Sequence, residues 1–249
     1  MIPDSYATYI LNKQEKQRFL ILLLVSSVLV AYLFYNQILL ALMVLPVIKK
    51  LEEVYKKMLA RKRSAELTLQ FKDLLFSLSS SMAAGRQMRE ALFEGRDNMK
   101  LIYSDRAPLV LELNHMVKCM SESKETEDDV LRNFAKRSNI EDIENFVEVY
   151  FTCRSTGGNL ETVVMKGANV IMDKISIEKE ISTITAQKKF EAKILTGIPL
   201  LIIALLQLTS PDYLEVMYTT VTGRILMTLS LLMIGVAFLI SMKITDIRV

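Results

Sequence analysis

The sequence predicts an all-α integral membrane protein, in which a cytoplasmic helical bundle is flanked by transmembrane helices. Hydrophobic residues make up 51% of its 249 residues and 24% are charged, so it is too apolar for an ordinary soluble domain and too charged for a fully embedded one. The charges crowd into residues 49–193, which leaves residues 19–48 and 194–242 nearly free of them. No segment shows sustained period-two alternation, so helices are expected throughout.

The first eighteen residues are polar and carry basic side chains at Lys13, Lys16 and Arg18. The apolar run that follows is long and lacks a small-x-small cleavage site, so we interpret it as a retained membrane segment and not as a signal peptide. Residues 1–18 are therefore expected to form a cytoplasmic N-terminal segment.

The N-terminal membrane region, residues 19–48, fits either one steeply tilted span or a hairpin of two. Residues 19–35 are about one short crossing, Asn36-Gln37 is a polar break, and residues 38–48 form a second run that contains Pro46. Both flanks are basic, so the positive-inside rule favours a hairpin with both ends in the cytoplasm. Against the hairpin, the second run is short for a full crossing.

The cytoplasmic domain, residues 49–193, opens with a basic helix over residues 51–63, whose charged face suits both solvent and lipid headgroups. A strong helix is expected over residues 64–84, because apolar residues recur there at helical spacing and Gly85 follows as a stop. A shorter helix over residues 86–97 comes next.

Three more helices complete the predicted bundle. Pro108 suits the first turn of one, and Thr126 suits the N-cap of the next, where acids follow in the first turn. Asn139 with Asp142 is expected to cap the last of the three. That helix should stop at Gly157-Gly158, because both glycines can adopt the positive φ that ends one helix before the next begins.

The long run after these glycines organises the chain. Asn159 is expected as its N-cap, and Lys174 is expected on its solvent side. No proline interrupts it before Pro199, so a continuous helix from Asn159 to Thr209 would be about 75 Å long and would join the bundle to the membrane. A basic collar marks the membrane entry: Lys188, Lys189 and Lys193.

The C-terminal region, residues 194–242, is expected to be a transmembrane hairpin. Residues 209–213 predict a turn around Pro211, and Tyr213 and Tyr218 suit the far interface. Gly223 starts the last apolar run, and residues 243–249 are expected to return as a cytoplasmic tail.

The sequence contains no Walker-type, GxGxxG, HExxH or GxSxG pattern, so no enzyme activity, cofactor or metal is expected. Cys119 and Cys153 are isolated and are interpreted as small hydrophobic residues, and His115 as an ordinary helix-face side chain. The acid pairs Asp128-Asp129 and Glu141-Asp142 fall at helix starts, where unpaired N–H groups favour them, so we favour capping over catalysis.

The net charge of +3 comes from basic residues at membrane edges, which indicates anionic lipid as a partner and gives no sign of nucleic acid. A transporter is disfavoured, because no Asp, Glu, Lys or Arg lies in the middle of a span. The remaining polar groups are few, such as Asn36, Gln37 and Gln207. The composition thus favours a non-catalytic protein that holds partners or transmits motion between them.

Short motifs occur along the chain in a fairly specific order. They are Ala84-Gly85 with Ala91-Leu92, Thr156-Gly157-Gly158-Asn159-Leu160, Thr185-Ala186-Gln187, Pro199, Pro211 to Tyr213, and Gly223. In this, residues 67–247 resemble the type II secretion system F domain family, and most closely its tight-adherence (Tad/Flp) pilus platform proteins of the TadB and TadC kind. The chain departs from many relatives at residues 121–126, SESKET, where they have a glycine.

The resemblance implies a multi-pass platform subunit with a single F domain in the bacterial cytoplasmic (inner) membrane. Such proteins contact a hexameric secretion ATPase, help to move prepilin out of the bilayer, and form homo- or hetero-oligomers with a paralogous platform protein. Residues 125–129 and Glu141-Asp142 are candidate contacts for a partner, or else solvated helix caps. The alternative function is a membrane-anchored scaffold or signalling docking protein without enzymatic activity.

Overall fold

All regular secondary structure in the described part of the chain is helical, as predicted, and no β-strand occurs there. The structure is a computed structural model and describes residues 5–6, 8–37, 39–40, 42 and 48–245. In chain order the α-helices are α1 (Lys13–Tyr35), α2 (Ile48–Ala83), α3 (Met88–Ile102), α4 (Pro108–Glu122), α5 (Glu127–Ser138), α6 (Glu141–Ser155), α7 (Leu160–Thr209), α8 (Pro211–Thr219) and α9 (Val221–Thr245).

The chain divides into two compact units. The first, the bundle unit, contains Met1–Ile10 and Glu53–Ile177, and the second, the apolar-helix unit, contains Leu11–Glu52 and Glu178–Val249. The chain passes between the units at three places, of which one precedes α1 and the other two lie inside α2 and α7. The membrane boundaries expected near residues 49 and 193 stay predictions.

The bundle unit is built around one hydrophobic core. Phe71 of α2 is buried in it, with its ring centroid 5.9 Å from that of Phe134 and 5.5 Å from that of Phe146. Helix α4 contributes Leu109 and Leu113, both fully buried. Because α4 packs on α3 and α5, and α5 packs on α6, each helix buries one apolar face against its neighbours.

Three boundaries in the bundle differ from the sequence prediction. The two helices expected over residues 51–63 and 64–84 are one helix, α2, since no glycine or proline separates them. Helix α3 extends to Ile102, beyond residue 97. Asn139 does not cap α6; its φ of 50° is left-handed and ends α5, and Ile140 is the N-cap of α6.

Among its described residues, the apolar-helix unit contains three helices that are long and apolar enough to cross a membrane: α1, the end of α7, and α9. They indicate a membrane protein. Helix α1 packs on α9, where the Tyr35 hydroxyl lies 2.9 Å from the Thr228 hydroxyl. The Tyr218 hydroxyl of α8 donates to the Leu33 carbonyl at 2.7 Å.

The starts of α1 and α2 lie close together, because Lys16 Nζ and Glu52 Oε2 are 3.7 Å apart. Helix α1 is 23 residues long, about 35 Å, so Tyr35 is far from this contact. Much of the second short run expected over residues 38–48, including residues 43–47, lies outside the described residues. The choice between one span and a hairpin therefore stays open.

Candidate functional site

The turn between α6 and α7 stops one helix and starts the next, as predicted. Helix α6 ends at Ser155, and Gly157 follows with a φ of 71°, which a residue without Cβ adopts at little cost. The Gly158 N–H donates to the Cys153 carbonyl at 2.9 Å. The last carbonyls of α6 thus have partners within the turn.

Gly158 is needed for a different reason from the one predicted. Its φ is not positive, and a Cβ built there would lie 2.6 Å from the Cys153 Sγ. The expectation that both glycines use a positive φ is therefore wrong. Of the two glycines, Gly157 adopts the left-handed φ of the turn, and Gly158 leaves space for the Cys153 side chain.

The start of α7 follows the prediction closely. The Asn159 Oδ1 accepts a hydrogen bond from the Thr162 N–H at 3.0 Å, and α7 begins at Leu160. Glu161 lies in the first turn, where the helix dipole favours an acid. Leu160 packs partly buried against the bundle core. The predicted N-cap is confirmed.

The first part of α7 belongs to the bundle core. Val164 and Ala168 are fully buried, and Ile171 is nearly so. Between them, a Cβ on Gly167 would lie 2.7 Å from a ring carbon of Phe146. Because glycine has no side chain, α6 and α7 approach more closely here than any larger residue would allow.

An ion pair joins α6 to α7. The Lys174 Nζ donates to both carboxylate oxygens of Asp142 at 2.9 Å. The sequence assigned Lys174 to the solvent side and Asp142 to a cap with Asn139, and both assignments missed this contact. Because both side chains are partly exposed, the pair contributes only about 0.2–1 kcal/mol.

A shallow apolar groove runs along the same two helices. Its volume is about 250 Å³. Apolar residues form most of its lining, and Val149 and Val170 are more than half exposed. The lining residues are Asp142, Asn145, Phe146, Val149, Val163, Lys166, Gly167, Val170 and Ile171. The groove lies beside the ion pair, on the helix that continues into the apolar-helix unit.

The motif Thr185-Ala186-Gln187 lies further along α7, in the apolar-helix unit. The buried Thr185 hydroxyl donates to the Ile181 carbonyl at 2.8 Å, and the Gln187 amide donates to Glu191 at 3.2 Å. These hydrogen bonds stay within α7. Pro199 lies inside the same helix, which continues to Thr209 as predicted.

The remaining motif residues stand at helix boundaries. Gly85, with a φ of 84°, follows the end of α2. Pro211 is the first residue of the short helix α8, so the turn expected over residues 209–213 is restricted to Ser210. A Cβ on Gly223 would lie 2.6 Å from the Met217 Cα, so the glycine lets α9 pack against α8.

The acid pairs lie at helix starts, where capping was predicted. Asp128 and Asp129 lie in the first turn of α5, and the Thr126 hydroxyl accepts from the Asp129 N–H at 3.2 Å. Arg154 of α6 pairs with both Glu127 and Asp128. The Thr126 hydroxyl therefore caps α5, the acids lie where the helix dipole favours them, and Arg154 joins two of them to α6.

A buried polar cluster was missed by the sequence analysis. Glu112 of α4 is fully buried and bonds to Tyr6 and Arg137. The sequence could have predicted the burial of Glu112, because it lies between Leu109 and Met116 on the face that the helical period buries. Tyr6 stood in a short polar segment with no periodicity, so nothing in the sequence placed it in the core.

His115 and Cys119 lie one turn apart on α4, with the Sγ 3.7 Å from a ring nitrogen. Both are half-buried, and burial raises the pKa of the Cys119 thiol. A raised pKa keeps the thiol protonated and unreactive. No group of three His, Cys, Asp or Glu side chains in the described part of the chain is arranged to hold a metal ion.

Comparison with family models, with curated proteins and with solved structures finds no match for this chain. The resemblance to F domains therefore stays a prediction from the sequence motifs. The geometry itself offers a mechanical element: a helix capped at Asn159, packed into a bundle, and continuous to Thr209.

Proposed function

We propose that this chain is a non-enzymatic platform subunit of a type II secretion or Tad/Flp pilus assembly machine in the bacterial cytoplasmic membrane. It couples a cytoplasmic assembly ATPase to the extraction of prepilin and the growth of the filament. Its partners are the hexameric ATPase, prepilin, membrane lipid and further platform subunits, either copies of itself or a paralogue.

Helix α7 carries this proposal. It supplies Val164, Ala168 and Ile171 to the bundle core and ends in an apolar stretch that could cross a membrane. It is one α-helix of 50 residues, with Pro199, which has no backbone N–H, inside it, so a force applied at its first turns has a helical path along the chain. Transmission of such a force along α7 requires an ATPase that contacts the bundle differently in two states.

The groove between α6 and α7 is the proposed contact for a partner on the bundle side. It joins exposed apolar side chains at Val149 and Val170 to a charged rim that includes Lys166. Further along α7, the basic collar of Lys188, Lys189 and Lys193 suits anionic lipid headgroups.

The test interrupts α7 between the two units without touching either core. Ile177 is half exposed, and Ile177→Pro removes a hydrogen bond from the helix interior at a cost of about 3 kcal/mol. We expect Ile177→Pro to abolish surface filaments in cells, while the protein still inserts in the membrane and the purified ATPase hydrolyses ATP at its usual rate.

The matched control is Ile177→Ala, which should assemble filaments normally because alanine keeps the helix intact. Deleting the gene should also abolish filaments. Normal piliation in the deletion strain would contradict the proposal and would favour the scaffold or signalling alternative. Protease mapping that puts the bundle outside the cell would also contradict the proposal.

A further inference from the structure

A tyrosine near the N-terminus is buried in the bundle. Tyr6 is fully buried, although it lies 106 residues from its main partner. Its hydroxyl lies 3.0 Å from the Glu112 Oε1 and 3.4 Å from the Pro108 carbonyl, both on α4. The phenol is the donor in both contacts, because carboxylate and carbonyl oxygens only accept.

Two arginines complete the surroundings of Tyr6. The Arg137 Nη2 donates to the other carboxylate oxygen of Glu112 at 2.6 Å, and the Arg137 carbonyl accepts from the Tyr6 N–H at 3.1 Å. The Arg63 guanidinium lies over the Tyr6 ring, 4.7 Å from its centroid. We name these four residues, Arg63, Pro108, Glu112 and Arg137, the tyrosine socket.

The socket is built for an aromatic ring that carries a hydrogen-bond donor. Without the Tyr6 hydroxyl, the buried Glu112 would lose the partner of one carboxylate oxygen, and an unpaired buried acceptor is costly. Burial, and then the charge of Glu112, raise the pKa of the Tyr6 phenol well above its usual value. The phenol thus keeps its proton, and remains a donor, at neutral pH.

Tyr6 is more deeply buried than the described residues around it. Among the described residues 5–6 and 8–12, Tyr6 is the one buried residue, none is helical, and Ile10 is 91% exposed. By contrast, the other chain crossings between the two units are the continuous helices α2 and α7. Non-helical segments with few buried contacts open at low free energy.

We propose that the bundle carries a binding site for a tyrosine side chain, the tyrosine socket, whose ligand is Tyr6 of the chain's own N-terminal segment. Tyr6 and the described residues beside it, 5 and 8–12, dock and leave together while the helices of the bundle stay folded.

The experiment supplies the ligand in trans to the full-length protein in detergent micelles. Tyr6→Ala empties the socket, and the probe is a fluorescent synthetic peptide with the sequence of residues 1–12. We expect the peptide to bind the Tyr6→Ala protein saturably and the wild-type protein at least about tenfold more weakly, because the wild-type socket is occupied. A Tyr6→Phe peptide should bind roughly 5- to 100-fold more weakly than the native one, since Glu112 loses its donor.

Two controls make the result decisive. A peptide with Ile10→Ala should bind like the native peptide, because Ile10 is exposed in the docked segment. Circular dichroism should show the same helix content in the Tyr6→Ala and wild-type proteins. Loss of helix in Tyr6→Ala, or equal binding of the native and Tyr6→Phe peptides, would overturn the proposal.

Hydrogen exchange on the wild-type protein tests the release without a mutation. The Tyr6 amide, bonded to the Arg137 carbonyl, should exchange at least about tenfold faster than amides in the middle of α4, because the segment opens without the bundle. Equal protection of the two would show that Tyr6 is an integral part of the folding core and would overturn the proposal.

Discussion

The two units use apolar residues in opposite ways. In the bundle unit, apolar side chains meet one another around Phe71 and become inaccessible to solvent. In the apolar-helix unit, the apolar stretch at the end of α7 has none of its residues buried inside the protein. Composition therefore does not decide burial: the partners of these side chains lie outside the chain, in lipid or in other proteins.

Helix α7 contains both patterns in one element. In its first part Val164, Ala168 and Ile171 recur every three to four residues and face a core, as in an amphipathic helix. In its last part Leu201, Ile202 and Leu205 are exposed, although they are apolar. The change of pattern along a single helix marks where one environment ends and the other begins.

The largest expected effect tests the bundle core. Phe71→Ala removes a buried ring in contact with two other rings and should lower the free energy of unfolding by about 3–5 kcal/mol. Phe190→Ala makes the same truncation at a ring that is 64% exposed and should change it by less than about 0.5 kcal/mol. Denaturant titration followed by circular dichroism measures both, and equal losses would break the comparison.

The second prediction compares two equally exposed apolar residues. Leu201→Arg puts a charge on the apolar end of α7 and should disfavour membrane insertion by about 2.5–3.5 kcal/mol. Val170→Arg, on the bundle part of α7, should change neither insertion nor stability by more than about 0.5 kcal/mol. The membrane-inserted fraction of each variant is the measurement, and efficient insertion of Leu201→Arg would show that α7 does not cross the membrane.

The smallest expected effects separate the two glycines at the start of α7. Gly158→Ala should destabilise the bundle by about 1–3 kcal/mol through the clash with Cys153, and a simultaneous Cys153→Ala should relieve most of that loss. Gly157→Ala should cost about 1–2 kcal/mol from its left-handed φ. Thermal unfolding monitored by circular dichroism provides the values.

The control for this pair is the second double variant. Cys153→Ala should not rescue Gly157→Ala, because a Cβ at Gly157 would meet nothing within 4 Å. If Cys153→Ala rescued both glycine variants, or neither, the separate reasons assigned to them would be incorrect. Membrane insertion should be unchanged in all four variants, since their defects lie in the bundle unit.

The helix caps show which features can be predicted from nearby residues alone. Thr126 and Asn159 were predicted correctly, because an N-cap bonds to a backbone group within three residues of itself. Asn139 was assigned to the wrong helix, because asparagine also suits the left-handed residue that ends a helix. The choice between the two roles depends on how α5 and α6 pack, which the neighbouring residues do not encode.

The sequence by itself determined the helices, the stops at Gly85 and Gly157 and the apolar stretches, because hydrophobic period, capping and φ preference act over a few residues. Only the tertiary structure decided that Tyr6 meets Glu112, that Lys174 meets Asp142 and that Gly158 faces Cys153. Two of these contacts join residues 32 and 106 positions apart, and the third depends on the path of a turn. Such pairings arise when helices pack, because burial then selects which distant polar groups must satisfy one another.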